Sequence, residues 1–275
     1  MKPLPSPSLP APRRRPLVYA HRGGAALRPE NTIVSFDHGL ALGADGLELD
    51  VHLSRDGVVV VHHDTTLERT TSGVGALSAL TADELARLDA GCRFQPITPG
   101  AATFPFERQD IAIPRLRAVL ARYPSIPLII ELKSNEPELA LRTIEELRLA
   151  DAVDRVALGS FYRRVLAAAR TEEPRVRTGA SREETRWALY RSRFRFPIRS
   201  AAFQEFQVPE KVGRTTVVTP RFIADAHRAG LPVKVWTVDD AEDMRRLAGW
   251  GVDALISDRP DIAVTMKRRL DGHKS

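Results

Sequence analysis

The sequence predicts a (β/α)8 TIM barrel with a small insertion subdomain after the second barrel strand, and three observations lead there. Short β-rich runs alternate with helical patterns, the signature of a parallel sheet wrapped by helices. Eight such runs fit within 275 residues, a length that suits one elaborated barrel. One extra β-rich run breaks the alternation and opens a long excursion after the second strand. Hydrophobic content of 43% and charged content of 28% are ordinary for a globular chain, and exclude disorder and collagen-like structure.

The eight strands are expected at 16–21 (PLVYAH), 45–51 (DGLELDV), 127–133 (PLIIELK), 155–160 (RVALGS), 175–179 (RVRTG), 200–203 (SAAF), 232–238 (PVKVWTV) and 252–258 (VDALISD). Helical patterns fall at 31–42, 114–122, 136–149, 161–171, 181–190, 220–229 and 240–248. The active site of such a barrel lies at the C-terminal ends of its strands.

The extra run, VVVVHHD at 58–64, follows the second strand after only SRDG. A parallel neighbour needs a crossover of about a dozen residues, so this run must pair antiparallel. Asp56-Gly57 is a strong hairpin signal. A loop of those two residues pairs Arg55 with Val58 and sets Asp50 opposite His63, which puts His63 on the face of Glu48 and Asp50. A three-residue loop exchanges His62 and His63. The hairpin opens an excursion of approximately residues 52–112, containing TADELARLD (81–89) and a Pro-rich passage near 96–114. A structureless loop that long does not suit a compact barrel, so an inserted subdomain is expected.

Residues 1–16 are Pro/Ser-rich and end in arginines, which reads as a disordered tail ahead of a barrel spanning 17–270. The chain contains no apolar run of the length a secretory signal or membrane span requires, so a cytoplasmic enzyme without stable membrane insertion is expected. A single cysteine, Cys92, excludes an internal disulfide and a cysteine-based zinc site. The formal net charge of +6 is compatible with anionic ligands without identifying one.

Glu48 and Asp50 stand at i, i+2 on a strand, so both carboxylates point to one side. On the inner face of a barrel they need a cation or cationic partners. Without available thiols, oxygen ligands favour Mg2+ or Ca2+ over zinc; on an exposed edge strand the same pair is merely solvated. Glu131 and Lys133 repeat the spacing at the end of a buried-looking strand, either paired with one another or serving as a third metal ligand and a phosphate anchor. His21-Arg22-Gly23-Gly24 closes the first strand with a titratable imidazole, a bidentate guanidinium and two glycines permitting close backbone approach. His38, His52 and His227 carry weaker signals. The stretch RWALYRSRFRFPIR (186–199) interleaves arginines with Trp187, Tyr190, Phe194 and Phe196. Such a mixture can bind nucleic acid or an anionic membrane, but it also suits a helix-to-strand passage with packed aromatics, and that reading is preferred.

Together these segments resemble the glycerophosphodiester phosphodiesterase family. AHRGG, RPENT (28–32), GADGLELDV (43–51), RDGVVVVHHDTTLERTT (55–71) and LDAG (88–91) carry the likeness in the first third. IIELK (129–133), SF (160–161), VWTV (235–238) and GVDALISDRP (251–260) carry it onward, over about 240 residues in all. The resemblance implies a (β/α)8 barrel with His21 and His63 as the acid-base pair, His63 being selected over His62. It implies one divalent cation, Mg2+ or Ca2+, on Glu48, Asp50 and Glu131. Arg22 and Lys133 match phosphate-contacting positions, and Phe161 and Trp236 match aromatics beside the substrate's glycerol end. The implied reaction is metal-dependent hydrolysis of a glycerophosphodiester to sn-glycerol 3-phosphate and an alcohol through a cyclic phosphate. The expected partner is this small-molecule substrate, with no nucleic acid; the oligomeric state is left open. Two alternatives share the residues: a lysophospholipase D or sphingomyelinase D-like enzyme, and a non-catalytic phosphodiester-binding protein. Residues around 185–225 match least, and are expected to hold part of the substrate-selecting surface.

Overall fold

The structure, a computed structural model, describes residues 15–97, 104–199 and 202–272. The tail expected over 1–16 lies almost wholly outside the described residues. In chain order the elements are β1 (Leu17–His21), α1 (Ile33–Leu42), β2 (Gly46–Leu53), β3 (Val59–Val61), α2 (Ala82–Leu85), α3 (Leu116–Arg122) and β4 (Leu128–Leu132). There follow α4 (Pro137–Leu149), β5 (Val156–Gly159), α5 (Arg163–Glu172), β6 (Arg177–Thr178), α6 (Arg182–Arg193) and β7 (Phe206–Pro209). A small hairpin of β8 (Lys211–Val212) and β9 (Thr215–Thr216) precedes α7 (Pro220–Arg228), β10 (Val233–Trp236), α8 (Ala241–Trp250), β11 (Ala254–Ser257) and α9 (Pro260–Gly272).

Eight strands pair in parallel in the order β6-β5-β4-β2-β1-β11-β10-β7. The ends meet through a parallel bridge between Gly179 and Glu205, where the Ala180 amide donates to the Glu205 carbonyl at 3.0 Å. The register links His21 with Glu48, Asp50 with Glu131, and Trp236 with Pro209 across neighbouring strands. These residues therefore share the sheet face that encloses the barrel interior, with Tyr19, Ile129, Ala254 and Ile256 as its apolar filling. The opposite face presents Val18, Leu47, Leu49, Val51, Ile130 and Leu158 to the surrounding helices, where the main core sits. Deep in the interior Glu205 is fully buried and neutralised by Lys234 at 2.7 Å and Arg177 at 2.9 Å.

The sixth barrel strand lies at Phe206–Pro209 rather than 200–203. Phe206 supplies the reason: it is fully buried and stacks edge-on against Phe203 and Phe222, at ring separations of 5.2 and 5.0 Å. Burial of this ring outweighs the β-like look of SAAF, of which residues 200 and 201 lie outside the described residues.

The β2–β3 hairpin takes the three-residue form of the two loops considered. Its register pairs Val51 with Val61, His52 with Val60 and Leu53 with Val59, one residue away from the two-residue-loop pairing. The Ser54 amide donates to the Val58 carbonyl at 3.0 Å, leaving Arg55, Asp56 and Gly57 as the turn, with Gly57 at φ 75°. Asp56 is diverted from a tighter turn: its Oδ1 accepts from Ser54 Oγ at 2.6 Å and from the Ala82 amide at 2.9 Å, at the start of α2. Beyond the hairpin, Val60, Leu67, Leu77, Leu85, Ile111 and Ile113 gather into a separate small apolar cluster.

Candidate active site

The strand ends deliver the site. His21 is the last residue of β1, Glu131 stands next to the end of β4, and Lys133 follows that strand directly. Asp50 lies midway along β2, which runs past the barrel rim to form the hairpin. After His21 the chain must turn sharply into α1. Arg22 adopts φ 50° and Gly23 φ 86°, and a Cβ on Gly23 would fall 2.3 Å from Ser35 Oγ, so glycine is required there. Ser35 Oγ donates to the Arg22 carbonyl at 2.9 Å and fixes the turn against α1.

Glu48, Asp50 and Glu131 each offer an oxygen within 4.8 Å of the others. Asp50 is completely buried and Glu48 nearly so. Burial, reinforced by the neighbouring charges of Asp50 and Glu131, pushes the Glu48 carboxyl well above its ordinary range. Burial also raises Asp50, but Lys133, Arg22 and His63, with a hydrogen bond from Asn31, outweigh it and leave that carboxyl below its ordinary range. Lys133 Nζ lies 2.9 Å from both Asp50 Oδ1 and Glu131 Oε2 and bridges the two carboxylates. Three converging carboxylates, an all-oxygen donor set on buried strand ends, suit a hard divalent cation.

Two histidines flank this cluster, each held by a carboxylate at Nδ1. His21 Nδ1 is 2.6 Å from Asp258 Oδ1, and its Nε2 is 3.7 Å from Glu48 Oε2. Burial disfavours the charged His21 ring, but Glu48 and the Asp258 hydrogen bond overcome it and push the pKa up to about 9. His63 Nδ1 is 2.5 Å from Asp64 Oδ1, and Asp64 in turn accepts from Arg69 at 2.5 Å. Burial raises Asp64, but Arg69 and His63 together pull it far below its ordinary value.

The three-residue loop sets His62, not His63, opposite Asp50: the His62 amide donates to the Asp50 carbonyl at 3.0 Å. Alternation ends with β3 at Val61, so the faces of the two rings do not follow from pairing. His62 is buried with Nε2 3.1 Å from the Thr66 carbonyl, whereas His63 is half-buried with Nδ1 on Asp64.

Arg22 contacts Asp50 Oδ2 through Nε at 3.2 Å and Glu30 at 3.0 Å, and its amide donates to Glu48 at 3.2 Å. Phe161 and Trp236 meet edge-to-face at 6.0 Å, and Arg182 stacks over Phe161 at 5.0 Å. The structure thus brings His21, Arg22, Glu48, Asp50, Glu131 and Lys133 into one contact network, with His63 bordering Asp50 and the two aromatics paired across the ends of β5 and β10. His52 does not join it: its Nε2 meets the His63 carbonyl at 3.0 Å.

Four residues in direct contact with this network, Glu30, Asn31, Asp64 and Asp258, and Arg69 behind Glu30 and Asp64, escaped the reading of the sequence. Asn31, at φ 58°, donates Nδ2 to Asp50 Oδ2 at 2.9 Å and accepts from the Asp50 amide at 3.2 Å. Glu30 receives both Arg22 and Arg69. Their signal was present in RPENT, in the Asp directly after His63, and in ISDRP at the end of the last strand.

With this geometry in hand, comparison with known proteins is informative. The model of the Glycerophosphoryl diester phosphodiesterase family matches residues 21–262. A glycerophosphodiester phosphodiesterase from Caldanaerobacter subterraneus is 32% identical over 258 residues, covering 92% of this chain and 98% of the relative. A glycerophosphodiester phosphodiesterase structure from Agrobacterium tumefaciens superposes with TM-score 0.73 at 28% identity, covering 91% of this chain and 99% of that one. An Oleispira antarctica phosphodiesterase, solved in complex with the product sn-glycerol-3-phosphate, gives TM-score 0.74 at 27% identity and covers 92% and 96% of the two chains. A family match across nearly the whole chain, on a barrel with this residue network at its strand ends, shows that the chain belongs to the glycerophosphoryl diester phosphodiesterase family.

Proposed function

We propose that this phosphodiesterase hydrolyses glycerophosphodiesters to sn-glycerol 3-phosphate and a free alcohol. The observation carrying the proposal is the meeting of two carboxylate-anchored histidines with three metal-suited carboxylates and two cations at one end of the barrel. The product held by the Oleispira relative supports the identity of the released phosphate.

Glu48, Asp50 and Glu131 would hold one divalent cation, Mg2+ or Ca2+. Such an ion supplies Lewis-acid neutralisation of phosphate charge. Arg22 and Lys133 bind the phosphodiester oxygens and stabilise the charge that builds in the transition state. One histidine removes the proton from the glycerol 2-hydroxyl, whose oxygen attacks phosphorus. The other protonates the departing alcohol oxygen as its bond to phosphorus breaks, leaving a cyclic phosphate. Reversed roles then activate water to open that ring. Asp258 and Asp64 hold the two rings through Nδ1, which leaves each Nε2 for proton transfer. Phe161 and Trp236 pack against the glycerol end.

The test is a panel of glycerophosphodiesters and lysophospholipids, assayed after EDTA treatment and again with Mg2+ or Ca2+ restored. Release of glycerol 3-phosphate from the deacylated compounds, abolished by EDTA and recovered with the cation, is the expected result. Turnover of lysophospholipids alone would favour the lysophospholipase D reading, and binding without turnover the non-catalytic one.

A further inference from the structure

The exposed face of α6 and the segment after it form a surface that the catalytic reading does not use. Trp187, Tyr190 and Phe194 lie at helical spacing along one stripe. They are 62%, 50% and 57% exposed, and Phe196 beyond the helix is 54% exposed. The aromatics were expected to pack into the protein. Instead they pack on one another, Trp187 on Tyr190 at 5.8 Å and Tyr190 on Phe194 at 4.6 Å. Ala188 and Ser192 face the core on the opposite side of the helix.

Charge sets this stripe apart from an ordinary apolar patch. Helical spacing puts Arg186 and Arg193 along one flank and Arg191 along the other, and residues 185–199 contain five arginines and no acid. Arg186, Arg193, Arg195 and Arg199 form no salt bridge with a carboxylate among the described residues. Beside the stripe opens a cavity of about 350 Å3, lined by Trp187, Arg163, Arg191 and Arg199, with Glu183 and Glu184 at α6's first turn. Glu184 is already engaged by Arg170 at 2.8 Å, and Glu183 lies 4.0 Å from Arg163.

We propose that this face docks on the surface of an anionic phospholipid bilayer. The aromatic stripe enters the interfacial layer, the flanking arginines meet lipid phosphates, and the cavity beside Trp187 receives a headgroup. Exposed aromatics bordered on both sides by unneutralised arginines are the composition of an interfacial helix. A protein partner or a second copy would need an acidic counterpart for the arginines, whereas a bilayer presents phosphate over the whole stripe. No helix of the described residues is long and apolar enough to cross a membrane, so docking is peripheral.

Co-sedimentation of the full chain with phosphatidylcholine vesicles, with and without phosphatidylglycerol, tests this. Binding should require phosphatidylglycerol, fall with added salt and shift Trp187 emission to the blue, a shift absent in Trp187→Phe. Each arginine at an anionic surface is worth about a fivefold change in partitioning. Arg193→Gln/Arg195→Gln should therefore bind at least about tenfold more weakly, and Tyr190→Ser/Phe194→Ser should also lose binding, with far-UV circular dichroism unchanged in both. The proposal fails if neither vesicle binds, if the arginine pair changes nothing, or if the patch variants abolish self-association or single-stranded RNA binding instead of vesicle binding.

Discussion

Asp258 Oδ1 lies 2.6 Å from His21 Nδ1, across the seam between the first and last barrel strands. The residues are 237 positions apart, and parallel pairing of Leu17–Ala20 with Ala254–Ser257 brings them together. Asp258 is itself set in place by Asp239, which accepts from its backbone amide at 2.8 Å and from Ser257 Oγ at 2.9 Å. Asp64 plays the corresponding part beside His63. The two anchors occupy equivalent ring nitrogens, which in the proposed mechanism leaves both Nε2 atoms for proton transfer.

Replacing either anchor should damage turnover more than binding. For Asp258→Asn and Asp64→Asn, kcat for glycerophosphocholine should fall by about tenfold or more while KM stays within about threefold, because the imidazole loses its fixed tautomer and orientation. Steady-state kinetics of the two purified variants checks this. A change confined to KM would show that these carboxylates act on substrate instead.

Asn31 holds Asp50 from two directions, through its side-chain amide and through the Asp50 backbone. Asn31→Ala should weaken divalent-cation affinity by about 10- to 100-fold, as loss of a ligand-orienting hydrogen bond does elsewhere. Titration calorimetry with Mg2+ or Ca2+ on the wild type and the variant reads this directly, independently of activity.

Phe206 anchors the sixth barrel strand between Phe203 and Phe222. Phe206→Ala should cost about 3–5 kcal/mol of stability, since the cavity lies where strand and helix cannot readily collapse. Phe196→Ala, on an exposed ring, should change stability by less than about 0.5 kcal/mol. Urea unfolding of the pair distinguishes a buried strand from a surface passage.

His227 Nε2 sits 2.8 Å from Asp253 Oδ2, and that hydrogen bond raises the imidazole pKa above 6.5 despite partial burial. A raised folded-state pKa stabilises the fold when the ring is charged. The contribution is full below about pH 6.5 and is lost as pH rises through the folded-state value. His227→Gln should therefore destabilise the protein at pH 6 and have a smaller effect at pH 9, which thermal unfolding across that range measures.

The barrel was legible because its strands obey simple rules. Val18, Leu49 and Ile130 alternate with His21, Glu48 and Glu131 in a pattern that announces one face for helices and one for chemistry. The carboxylates were equally visible, since i, i+2 spacing on a strand fixes direction. Legibility failed where long-range packing decided local structure. Phe206 is a single ring whose partners lie in the preceding segment and in α7, and nothing local marks it as strand. Between the two loop lengths left open at Asp56-Gly57, the longer one forms because the Asp56 side chain answers to Ala82, 26 residues away. Asp258 is likewise invisible as a partner of His21 until the barrel closes. The aromatics of α6 face solvent because the buried side of that helix is supplied by Ala188 and Ser192, residues too small to advertise a core face.

Glycerol 3-phosphate release from glycerophosphocholine by His63→Ala, with fold and cation binding verified, tests the central claim most directly. His63 is half-buried at the cluster's edge, so its removal leaves Glu48, Asp50 and Glu131 in place. Loss of the acid-base group should cut turnover by about 10²-fold or more, with His62→Ala far less affected in catalysis. Near wild-type turnover by His63→Ala would contradict the account.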